Sequence, residues 1–151
     1  MKIKVEVRPE LEEEEIVIHC KKINPFVEKV QEELFNLTKT SINLSFFKED
    51  MQYFLSLEDI LFFETSDNKV QAHTKDNIYQ MKYRLYELEE LLPHSFIRIS
   101  KSAIANVDKI YSISHSLTSP NSIQFYESHK QVYVSRFYFK DLKNRLEERR
   151  K

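Results

Sequence analysis

Leu61-Phe62-Phe63-Glu64-Thr65, Val70-Gln71-Ala72-His73-Thr74 and Ile78-Tyr79-Gln80-Met81 are three short runs rich in apolar and aromatic residues, separated by Ser66-Asp67-Asn68 and Lys75-Asp76-Asn77. Runs this short, bounded by polar turn residues, read as strands joined by hairpins and not as the strands of a parallel βαβ sheet. Similar runs recur near Tyr53–Leu55, Ile97–Ile99, Ile110–Ser114, Ser122–Phe125 and Gln131–Val134. From Ser41 the period is also two, with Ile42, Leu44 and Phe46 on one face and Asn43, Ser45 and Phe47 on the other. The body of the chain is therefore expected to be mainly β and antiparallel.

Two helices interrupt this pattern. Leu85, Leu88, Leu91 and Leu92 fit a helix that Pro93 ends, and Tyr138, Phe139, Leu142 and Leu146 fit a last one. Arg149, Arg150 and Lys151 close that last helix, where cations favour the negative end of its dipole; a DNA role for them competes with this local one.

Residues 1–45 read as a small α+β unit ahead of a second domain at 46–151. Ile3, Val5 and Val7 alternate with Lys2, Lys4 and Glu6, and Ile16, Ile18 and Cys20 alternate after the solvated run Glu12 to Glu15, predicting two strands. Asn24 then stands as N-cap with Pro25 at the first helical position. Phe26, Val27, Val30, Leu34 and Leu37 form one apolar stripe, so a helix is expected to about Thr38.

Among 151 residues there is no glycine. Phosphate-cradling P-loops, GxGxxG turns and GxSxG elbows each need glycine for close backbone approach or a sharp turn, so nucleotide-dependent chemistry is disfavoured. Cys20 is alone and is expected to be a small buried hydrophobe on its strand, the alternative being a reactive thiol. His19, His73, His94, His115 and His129 are scattered singly, with no HExxH and no His–carboxylate pattern, and adjacent acids such as Glu58-Asp59 and Glu89-Glu90 point to different helix faces. The chain is read as non-enzymatic, with no cofactor and no small-molecule substrate. No apolar run approaches the roughly 18 residues of a membrane span and no signal-peptide pattern opens the chain, so it is expected to be cytoplasmic.

Charge is unevenly placed. Residues 1–97 carry 12 Lys or Arg against 19 Asp or Glu, giving −7, whereas residues 98–151 carry 11 against 5, giving +6. A basic segment on a nearly neutral chain suits a phosphate backbone, and serves equally well as a solvated face.

Four elements in order carry a more specific signal: Ile60-Leu61-Phe62-Phe63-Glu64; the Leu85–Leu92 helix; Phe96-Ile97-Arg98-Ile99-Ser100-Lys101-Ser102 with Ala103-Ile104-Ala105-Asn106; and Val134-Ser135-Arg136-Phe137-Tyr138 before the last helix. This order resembles the LytTR family of bacterial DNA-binding domains over roughly Phe46 to Glu148. The resemblance implies an elongated fold of small antiparallel β-sheets whose loops contact successive DNA grooves. It implies DNA contacts at Asn68 and Lys69 after the "FFE" strand, at Ser100 and Lys101, and at Arg136 and Tyr138. Arg98 joins these candidates, its alternative being a surface ion pair. Asn suits adenine, Lys and Arg suit guanine or phosphate, and small hydroxyls suit phosphate oxygens.

Ser102 and Asn106 are expected to cap or turn the backbone, and Phe62, Phe63 and Phe96 to lie in the core. The chain departs from the family in three loops. Ser100 stands where the family often has His, the loop at 66–69 is short, and Glu127-Ser128-His129-Lys130 replaces an Asn-Gly turn, so a longer loop is expected there.

The resulting expectation is a transcription regulator that binds duplex DNA sequence-specifically, as a homodimer on repeated half-sites. A membrane-protein inhibitor is expected to contact residues 1–45. The alternative is a protein-interaction module whose basic C-terminal region is incidental.

Overall fold

The computed structural model describes residues 1–12, 14–39 and 43–149, excluding the side chains of residues 38 and 39. By its internal contacts the chain divides into two units, Met1–Leu34 and Phe35–Lys151. Helix α1 (Pro25–Lys39) starts as the sequence predicts: Asn24 Oδ1 accepts from the Val27 N–H at 3.0 Å, and Pro25 sits where no intrahelical donor is needed.

The strands expected at 3–7 and 16–20 are absent. Neither run is helix or strand, Ile3 is 87% exposed, and Cys20 is exposed instead of buried. Alternation makes a run able to serve as a half-buried strand, but a strand also needs a neighbour to take its N–H and C=O groups, and no described residue supplies one.

The second unit is mainly β with short helices, as expected. Strands β1 (Phe46–Lys48), β2 (Met51–Tyr53), β3 (Phe62–Ser66), β4 (Lys69–His73), β5 (Ile78–Met81), β6 (Phe96–Ser100) and β7 (Ala103–Asn106) form one sheet in the order β2-β1-β5-β4-β3-β7-β6. Strands β8 (Ile110–Ile113), β9 (Asn121–Phe125) and β10 (Gln131–Val134) form a second, in the order β10-β9-β8. Every pairing is antiparallel. Helix α2 (Leu85–Leu91) lies between β5 and β6, and α3 (Arg136–Arg149) follows β10, starting two residues before the predicted apolar stripe. Ile42, expected on the first strand of this body, lies outside the described residues; Leu44 and Phe46 are buried and Ser45 and Phe47 half-buried, as the alternation requires.

Strand β7 was not expected, because all four of its residues are buried and show no period of two. It lies inside the sheet between β3 and β6. Ile104 joins the core formed with Phe46, Phe63, Ala72, Met81, Leu88 and Phe96, while Ala103 and Ala105 join the core formed with Ile99, Ile110, Ile123, Phe125, Val134 and Leu142. Phe62 and Phe63 divide in the same way, Phe62 toward the second sheet and α3, Phe63 toward α2. The large sheet is thus covered on both faces, and its central strands read as continuous apolar runs.

The tight turns are built without glycine. Glu49 and Asp50 between β1 and β2, and Asp67 and Asn68 between β3 and β4, all have positive φ, at 49°, 63°, 52° and 62°. Two consecutive left-handed residues match the right-handed strand twist in a two-residue hairpin, and Asp and Asn tolerate that region best after glycine. The β9–β10 connection is longer, Tyr126 to Lys130, with Glu127 at φ 56°, in line with the expected departure from a two-residue turn.

Candidate nucleic-acid interface

The β3–β4 turn and the β6–β7 turn lie at the same end of the large sheet. Glu64 is paired with Ala103, and one residue on, the Thr65 N–H donates to the Ser102 carbonyl at 2.8 Å. The start of α3 is brought to the same place by the Ser135 N–H, which donates to the Ile99 carbonyl at 2.9 Å. Leu142, fully buried beside Ile99, anchors the helix. Between the β6–β7 turn and the start of α3 lies an open concavity of about 480 Å³, lined by Ser100, Lys101, Ser102, Tyr133, Ser135, Phe137 and Tyr138.

The sequence-predicted residues separate into two groups. Asn68, Lys69, Lys101 and Arg136 are exposed, and among the described residues none of their side chains makes a hydrogen bond or ion pair. Lys101 and the half-buried Tyr138 line the concavity, and Arg136 stands between two lining residues. Asn68 and Lys69 lie apart from it, at the β3–β4 tip.

Arg98 and Ser100 are spent on the architecture of the turn. The Arg98 guanidinium donates through Nε to the Ser100 carbonyl at 2.7 Å, through Nη2 to the Lys101 carbonyl, and through Nη1 to Glu89 at 2.9 Å. That carboxylate pairing is the alternative the sequence left open, with the partner supplied by α2. Ser100 is buried; its Oγ accepts from the Ser102 N–H at 3.1 Å, in a local turn that closes the irregular end of the β6–β7 ladder.

Asn106 turns the backbone as expected. Its Oδ1 accepts from the Asp108 N–H at 3.1 Å and its buried amide donates to the Ile60 carbonyl at 2.9 Å. At the end of α3, Arg149 donates to the Val107 and Ile110 carbonyls and Arg145 to the His94 carbonyl, so these cations fasten α3 to the body; Arg150 and Lys151 lie outside the described residues.

Sequence reasoning missed three things. Tyr133 and Phe137 are exposed aromatics on the concavity, Phe137 at 83%. The run Tyr133-Val134-Ser135-Arg136-Phe137 carries the signal: with Val134 inward on β10, the flanking Tyr133 must face outward.

A His–carboxylate pair also forms, although the sequence shows no pattern for one. His73 Nε2 lies 2.8 Å from Glu64 Oε1, near enough for an ion pair but off the line of a hydrogen bond, while Lys130 Nζ approaches Nδ1 at 3.4 Å. The imidazole is stacked on Phe62 at 4.2 Å, and burial holds its pKa below the ordinary histidine value. The two residues stand on neighbouring strands nine positions apart, a separation that no short motif reports.

Residues 50–147 match the LytTr DNA-binding domain family. The chain belongs to that family. Its LytTr domain resembles, with a TM-score of 0.63 and 26% identity, the LytTr DNA-binding domain of a Bacillus cereus chain named as a methyl-accepting/DNA response regulator; the likeness covers 70% of this chain and 97% of that one. Relatives named as uncharacterized HTH-type transcriptional regulators are similar along nearly their whole length. One from Staphylococcus aureus strain bovine RF122 / ET3-1 is 32% identical over 148 residues, covering 97% of this chain and 98% of that protein. One from strain MRSA252 is 31% identical over the same span. The LytTr fold here does not contain the two successive helices of a helix-turn-helix: among the described residues, strands separate α1 from α2 and α2 from α3.

Proposed function

We propose that this protein is a transcription regulator that binds duplex DNA sequence-specifically through the loops at one end of its LytTr domain. One observation carries the reading. Four exposed polar or cationic side chains that pair with none of the described residues, Asn68, Lys69, Lys101 and Arg136, stand on or directly beside connections that backbone hydrogen bonds gather at one end of the large sheet. Cations there neutralise phosphates, and Asn, Lys and Arg side chains read base edges. Arg98 and Ser100 act by shaping the turn that presents Lys101. Tyr138 acts from the wall of the concavity.

The protein works in the cytoplasm, as a homodimer on repeated half-sites. Residues 1–45 form a regulatory unit that a membrane-protein inhibitor contacts; the exposed Ile3, Val5, Val7 and Ile16 support this, because apolar side chains left in water favour a partner. No enzymatic step is assigned.

A fluorescence-anisotropy titration against duplex DNA from upstream of the protein's own gene, at several salt concentrations and beside a scrambled duplex, tests the reading. The expected result is at least about a hundredfold preference for the native duplex, with a steep salt slope. Equal weak binding to both duplexes would overturn it.

A further inference from the structure

Phe137 is the second residue of α3 and one of the most exposed aromatic side chains among the described residues, at 83%. Tyr138 abuts it edge-on, with ring centroids 5.0 Å apart at 81°, the Tyr138 N–H donates to the Ser135 carbonyl at 3.1 Å, and five residues on, Leu142 is fully buried. The ring stands on the wall of the concavity with Lys101 and directly after Arg136, so a large apolar surface is displayed among cations with none of the described residues over it.

Resting on the DNA-binding reading above, we infer that Phe137 is a specificity-determining residue that packs on the C5-methyl group of one thymine. The geometry selects this partner. The major groove, about 12 Å wide, admits the connection and helix start that carry Arg136 and Phe137, whereas the minor groove, about 6 Å wide, does not. Within the major groove, base edges present donors, acceptors and a single apolar feature, the thymine methyl. A phenyl ring held at a helix start between two cations meets that feature once Lys101 and Arg136 engage the flanking phosphates.

The test uses the full chain and a duplex it selects for itself from a random double-stranded library. Each thymine of that duplex is replaced singly by uracil, which removes only the methyl group, and affinities are measured for the wild-type protein, Phe137→Ala and Phe137→Leu. One position is expected at which uracil weakens wild-type binding roughly three- to fivefold, the worth of burying one methyl group. The same replacement is expected to leave Phe137→Ala unaffected and Phe137→Leu partly affected. Circular dichroism should show all three proteins equally folded, since the ring is not in the core. Enrichment of a sequence with the same uracil profile in wild type and Phe137→Ala overturns this inference alone. Failure to enrich any sequence overturns it together with the DNA-binding reading.

Discussion

The Ser135 backbone N–H donates to the Ile99 carbonyl oxygen across 2.9 Å, tying the end of β10 to β6 two residues before Lys101. This bond sets Arg136 and Lys101 on one surface although 35 positions separate them in the chain. Each is expected to act on DNA without supporting the fold. Lys101→Ala and Arg136→Ala should each weaken binding to a specific duplex by about 1–3 kcal/mol, with a phosphate contact also lowering the salt slope by about one. Unchanged affinity in both variants, by anisotropy, would remove them from the interface.

Asn68 can be tested without disturbing its turn, because it holds φ 62° and glycine takes that conformation freely. Asn68→Gly should change the unfolding free energy by less than about 1 kcal/mol. If the amide reads an adenine, specific affinity should fall by about 1–3 kcal/mol at one base pair. Retention of full affinity and preference would make the residue a turn former only.

Arg98 supports the β6–β7 turn that carries Lys101, and Arg98→Lys separates support from contact. Lysine keeps the charge but lacks the planar fork that reaches the Ser100 and Lys101 carbonyls and Glu89 together. The variant should lose about 1–3 kcal/mol of stability by denaturant unfolding, and DNA affinity with it. Wild-type stability with reduced DNA affinity would instead make Arg98 a direct contact.

His73 makes stability depend on pH. Burial lowers its folded-state pKa, while the unfolded chain titrates near the ordinary value of about 6.5. Below that value the unfolded chain binds the proton first, so stability falls as pH drops from about 6.5 through the lower folded pKa. Glu64 facing Nε2 opposes the shift and Lys130 facing Nδ1 adds to it. Chemical denaturation between about pH 7 and pH 5 should show this decline in the wild type and a shallower one in His73→Gln. Identical slopes would mean that the pH dependence arises elsewhere.

The strand runs at 62–66, 69–73 and 78–81 were legible because short apolar segments between Asp and Asn turns leave few alternatives to hairpins. The helix ended by Pro93 and the capped start of α1 were legible for equally local reasons. The runs 3–7 and 16–20 show the limit of such signals: their alternation is real, but pairing depends on a neighbour that local sequence does not specify. Strand β7 shows the converse, since burial on both faces erased the alternation that would have announced it.

The sequence by itself determined the antiparallel β body, the family, and the turns that carry the candidate residues, because backbone propensity, apolar period and motif order are properties of neighbouring residues. Only the tertiary structure decided which candidates are free to meet DNA. Arg98 and Ser100 turned inward to satisfy carbonyl and N–H groups at the end of β6, Lys101 and Arg136 were left without a partner among the described residues, and Phe137 was held in water by a helix whose buried face lies elsewhere. Arg98 and Ser100 found their partners within nine positions, but only folding decides which nearby groups come into line, and the Ser135–Ile99 bond that brings Lys101 and Arg136 to one surface joins segments too far apart to leave a mark on local sequence.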